Sequence, residues 1–112
     1  MSEALYVEYT NTQPGDAEEF LRELHYQLVR DLKDYEIQTP VYISPVISEN
    51  DSSCPFFVII GDDYTIQTSI QYIENQIHTS GLPLTTFSLL RKNDSERIKE
   101  LLENPSMDFQ LI

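Results

Sequence analysis

Pro55-Phe56-Phe57-Val58-Ile59-Ile60 places an unbroken apolar run in the middle of a chain of only 112 residues. Successive side chains of an extended strand point to opposite faces, so a run of this kind leaves neither face to water. It reads as a central strand, covered on both faces or packed closely on one. The rest of the chain has to supply that cover.

The flanking segments change period in a regular way. Ala4-Leu5-Tyr6-Val7-Glu8-Tyr9-Thr10 is β-branched and aromatic with rough alternation, which predicts a first strand with Leu5, Val7 and Tyr9 on one side. Asn11-Thr12-Gln13-Pro14-Gly15 stops it, and from Asp16 the apolar positions become Ala17, Phe20, Leu21, Leu24, Leu28, Leu32 and Tyr35. That is the spacing of an amphipathic helix from about Asp16 to Asp34, with acidic residues in its first turn, where the helix dipole favours them. Val41-Tyr42-Ile43-Ser44-Pro45-Val46-Ile47 predicts a second strand, in which Pro45 cannot donate to a ladder and so marks an edge or a bulge. The polar cluster Ser48–Ser53 then turns the chain into the apolar run, which predicts a hairpin. Ile66, Ile70, Ile73 and Ile77 mark one face of a second helix from about Tyr64 to Thr79, ended by Gly81 and Pro83. Thr85–Leu90 predicts a fourth strand, and Asn93-Asp94-Ser95-Glu96 opens a short helix bearing Ile98, Leu101 and Leu102. The tail Met107–Ile112 is either a short extra strand or a free end.

The order β-α-β-β-α-β predicts an α+β chain of the ferredoxin-like class: a four-stranded antiparallel sheet, two helices on one face and a short C-terminal helix. Residues 1–112 have the size of one domain. A single cysteine, Cys54, rules out an internal disulfide framework, and with only His25 and His78 beside it a four-ligand zinc site is not expected. No apolar run reaches the roughly 18–20 residues of a membrane span, and Met1–Tyr9 lacks a basic start and a small-residue cleavage site, so the expected compartment is the cytoplasm.

Nineteen Asp and Glu stand against seven Lys and Arg, a net charge of −12. Such a surface repels nucleic-acid phosphates and anionic lipid, and attracts basic protein surfaces. Between Lys33 and Arg91 there is no basic residue at all, while Arg91, Lys92, Arg97 and Lys99 cluster near the C-terminus. Seven tyrosines are many for this length. Tyr26 and Tyr72 fall off the apolar stripes of their helices, where tyrosine suits an interface: it buries a large area and keeps a hydroxyl for hydrogen bonding.

Two short motifs bear on chemistry. Gly61-Asp62-Asp63 follows the apolar run, and adjacent carboxylates at a strand end can ligate a hard cation. The same triplet resembles the Gly-Asp-Asp of viral polymerase palms, although there a second strand follows and here a helix does. Asp62 and Asp63 equally suit the start of that helix, which is the reading preferred here. Pro14-Gly15, between the first strand and first helix, resembles the Pro-Gly of small amino-acid-sensing domains of the ACT type, which implies a small ligand at that loop. Neither histidine has a triad around it, Cys54 has no neighbouring base, and the three glycines form no phosphate loop.

The sequence therefore predicts a non-enzymatic acidic module that docks a basic protein surface, as inhibitor, immunity-type neutraliser, adaptor or regulatory subunit. Its expected contacts are Glu36, Glu49, Asp51, Tyr72 and Glu74, with no cofactor and no catalytic residue. A small-molecule-sensing regulatory domain and a nucleic-acid mimic are the alternatives. A homodimer through an exposed strand edge is compatible with any of them.

Overall fold

The computed structural model describes residues 2–10, 16–35, 39–47, 55–82 and 87–112. The elements run β1 (Glu3–Tyr9), α1 (Asp16–Leu32), β2 (Tyr42–Ile43), β3 (Phe56–Gly61), α2 (Asp63–Ser80), β4 (Phe87–Lys92), α3 (Ser95–Glu103), a 3-10 turn (Pro105–Met107) and β5 (Gln110–Leu111). They form one sheet in the order β4-β1-β3-β2-β5, antiparallel at every pairing.

β3 lies at the centre, between β1 and β2. Its residues Phe57, Val58, Ile59 and Ile60 are at most 1% exposed, and the strand alternation divides them between two cores. Phe57 and Ile59 join Leu5, Val7, Tyr9 and Ile43 beneath α1 and α2, against Leu21, Leu24, Leu28, Ile66, Ile73 and Ile77. Val58 and Ile60 join Ala4 on the opposite face, beneath Ile98 and Leu101 of α3. Fully burying each such side chain contributes about 1.5–3 kcal/mol, so the short α3, amphipathic and capped by Asp94, has enough apolar area to hold it in place. The sheet is thus covered on both faces.

The sheet has five strands where the sequence predicts four. The tail residues Gln110 and Leu111 pair with Ile43 and Tyr42, and the Ile112 amide donates to the Val41 carbonyl at 2.8 Å. The added strand satisfies backbone groups that the outer side of β2 would otherwise leave open.

β2 is shorter than the expected Val41–Ile47, for a local reason. Tyr42 pairs with Ile60 and Ile43 with Ile59, yet the next bridge is Ile47 to Phe56, which puts one extra residue in this strand. That is a β-bulge, and Pro45 sits in it. At the bulge the Ser44 amide still donates to Val58 O (2.9 Å), but the Val58 amide donates to Ser44 Oγ (2.8 Å) in place of the Ser44 carbonyl. The freed carbonyl accepts from His25 Nε2 on α1, at 2.7 Å. The imidazole also stands edge-on to the Phe57 ring, centroids 5.0 Å apart. His25 therefore joins α1 to the interrupted strand.

α2 begins at Asp62 and ends at Gly81, whose φ of 80° is a left-handed conformation that suits glycine. At the other end of the same helix, a Cβ on Gly61 would come within 3.0 Å of Thr65 Cγ2, so the join between β3 and α2 is tight.

Burial lowers the His25 pKa, outweighing the bond to the Ser44 carbonyl, which raises it, and the Arg22 charge adds a lesser lowering. The unfolded chain then binds more protons than the folded one between the folded value and about 6.5. Stability should be complete above that window and decline as pH falls through it. Urea midpoints at neutral and mildly acidic pH test this: the wild-type midpoint should drop towards acid, and His25→Gln should flatten the profile between pH 7 and pH 5.

Candidate functional site

The Gly61-Asp62-Asp63 segment resolves into two separate ties. Asp62 adopts the extended conformation of an N-cap, and its carboxylate accepts from the Thr65 amide at 2.8 Å. Thr65, whose amide donates to it, holds this carboxyl below the ordinary carboxylate range. Asp63 turns the other way and accepts from the Arg91 guanidinium at 2.6 Å. Arg91, on β4, also binds Glu3 of β1 and the Gln67 side chain of α2. One arginine thus fastens two strands to the start of α2. Among the described residues no group of three His, Cys, Asp or Glu gathers in a metal-holding arrangement.

The basic cluster of the sequence is engaged to different degrees. Arg91 has the partners just named, Arg97 pairs with Glu100 at 3.3 Å, and Lys92 Nζ stands 5.6 Å from the centroid of the Tyr6 ring. Lys92, Arg97 and Lys99 remain exposed.

A different surface is formed by the helices over the first core. Tyr72 of α2 donates to Asp31 of α1 at 2.5 Å, and Asp31 accepts from Arg30 Nε at 3.1 Å. The Tyr72 hydroxyl and Arg30 lower the Asp31 pKa, while burial and the same carboxylate raise that of Tyr72. Tyr26 on α1 and Tyr35 just beyond it are 63% and 42% exposed. Tyr64, near the start of α2, is 62% exposed.

The expected contact residues are placed unequally. Tyr72 is half-buried, packs against the first core and has its hydroxyl engaged by Asp31, so it serves the α1–α2 junction. Glu74 is exposed. Two residues along a helix lie about 200° apart around its axis, so Tyr72 and Glu74 flank opposite sides of the buried isoleucine stripe. Glu36, Glu49 and Asp51 lie outside the described residues, as do Pro14-Gly15 and Cys54. His78 is exposed at the end of α2 and its carbonyl receives the Gly81 amide.

Sequence reasoning missed one feature altogether. α3, the 3-10 turn and the approach to β5 leave a cleft over the second face, lined by Tyr42, Leu102, Asn104, Pro105, Asp108 and Phe109. The alternation Met107, Phe109, Leu111 carried a signal that this tail lies along the sheet, but the cleft needs Tyr42 from far upstream.

Comparison with protein-family models, with curated proteins and with solved structures finds no match for this chain. No described helix is long and apolar enough to cross a membrane.

Removing the Tyr72 hydroxyl should release Asp31 while leaving the ring in place. In Tyr72→Phe, the Asp31 carboxyl should titrate at higher pH than in the wild type, measured by carbon-detected NMR of side-chain carboxylates. An unchanged Asp31 titration contradicts the cross-helix bond.

Proposed function

We propose that this chain is a non-enzymatic protein-interaction module that docks a basic protein surface, in the manner of an inhibitor, an immunity-type neutraliser, an adaptor or a regulatory subunit. The observation that carries this reading is that Tyr26 of α1, Tyr35 just beyond it and Tyr64 of α2 stand exposed on a chain of net charge −12. α2 contributes Asp63 and Glu74 and contains no lysine or arginine. Aromatic side chains supply contact area at low entropic cost, and the net negative charge of the chain steers a cationic partner towards it and rejects anionic ones.

In this reading β4-β1-β3-β2 with α1 and α2 is a ferredoxin-like unit, extended by β5 and α3, that serves as a rigid support in the cytoplasm. Tyr26 and Tyr35 are the anchors. Tyr72, bonded to Asp31, and the carboxylates Glu36, Glu49, Asp51 and Glu74 are the further contacts of this proposal.

Capture from native lysate on immobilised wild-type chain tests the reading, run at about 50 and about 500 mM salt. A basic protein should be retained at the lower salt and released at the higher. It should be absent from a Tyr26→Ala/Tyr35→Ala bait whose thermal midpoint is unchanged. No basic partner at low salt, or one held equally at both salts or by both baits, contradicts the proposal.

A further inference from the structure

The cleft on the second face of the sheet is independent of the helix surface and has a chemistry of its own. Its volume is about 360 Å³, at the lower end of the range of about 300–1,000 Å³ found for ligand pockets. The rings of Tyr42 and Phe109 form part of the wall, and both pack on the second core, which holds them in place. Leu102 and Pro105 add aliphatic surface.

The polar groups are few. Asn104 Oδ1 is taken by the Ser106 amide (3.1 Å) and hydroxyl (2.7 Å), which it caps. Asp108 is the one charged residue among the described lining, and it has no hydrogen bond or ion pair among the described residues. Its backbone lies at φ 50°, ψ 50°, a left-handed conformation that aspartate tolerates better than most residues. Asp108 is therefore an exposed acidic residue carried on a defined turn in the lining of the cleft.

We propose that this cleft receives the side chain of a single lysine or arginine displayed on a protein surface, its stem against Tyr42, Leu102, Pro105 and Phe109 and its charged head at Asp108. Aromatic faces attract cations, and the alkyl stem of a basic side chain packs on apolar surface while its head stays polar. An anion would meet Asp108 and the −12 field of the chain. A neutral guest would gain no charge interaction with Asp108. The cleft lies across the sheet from the helix-layer tyrosines, so it stands whether or not they form a docking face.

The test is an NMR titration of the isotopically labelled full chain with N-acetyl-arginine amide and N-acetyl-lysine amide, beside their neutral counterparts N-acetyl-citrulline amide and N-acetyl-norleucine amide. At least one cationic probe should shift the amides of Tyr42, Leu102, Asn104 and Phe109, and should bind about tenfold more tightly than its neutral counterpart. Asp108→Asn keeps the left-handed backbone and removes the charge, and should weaken that binding by about tenfold. Phe109→Leu keeps apolar packing and removes the π-face, and should weaken it as well. The proposal is overturned if neither cationic probe shifts these amides, if the neutral analogues bind equally, if folded Asp108→Asn binds like the wild type, or if free arginine and lysine bind more tightly than the capped forms.

Discussion

The structure depends on the burial of β3 from both sides. A strand that is apolar at every position can be stable only if the chain supplies two covers, and this chain does so with unequal means. α1 and α2 bring long stripes of leucine and isoleucine to Phe57 and Ile59, while the nine-residue α3 and the tail bring Ile98, Leu101, Met107 and Phe109 to Val58 and Ile60. The two exposed faces of the molecule follow from this. One is the outer surface of a helix pair; the other is a thinner layer whose imperfect closure leaves a cleft.

Polar satisfaction decides the details that apolar packing leaves open. At the bulge of β2, a carbonyl released from the ladder would be a costly orphan under α1 without His25, and the Val58 amide would lack an acceptor without Ser44 Oγ. Arg91 plays a comparable part at the other edge, where it gathers Glu3 and Asp63 in a protein with carboxylates to spare. These ties are local in space and remote in sequence. Through them residues with functional chemistry, the paired aspartates and a helix histidine, hold elements together.

That distance also explains what could be read from the chain. The alternation of Leu5, Val7 and Tyr9, the 3.6-residue stripe of α1, the apolar run of β3 and the stop at Gly81 are local patterns, and each appears in the structure close to its expected bounds. β5 was only half legible, because two strand residues leave little pattern and their pairing partner lies some seventy positions upstream. The shortening of β2 hinged on one inserted residue, whose effect emerges only once the register with β3 is known. For the candidate surfaces, composition foretold exposed tyrosines but not that Tyr72 would be engaged by Asp31, forty-one residues away. The cleft was invisible, since residue 42 and residues 102–109 meet only in the folded chain.

If β3 is the shared spine of two cores, its backbone should open only when the whole domain unfolds, while the tail strand should open on its own. Native-state hydrogen exchange reads this directly. The amides of Phe57 to Ile60 should be the slowest in the protein and track the global unfolding free energy, and those of Leu111 and Ile112 should exchange through a smaller opening. Exchange at Phe57 to Ile60 as fast as at the tail, or through an opening smaller than global unfolding, would contradict the account.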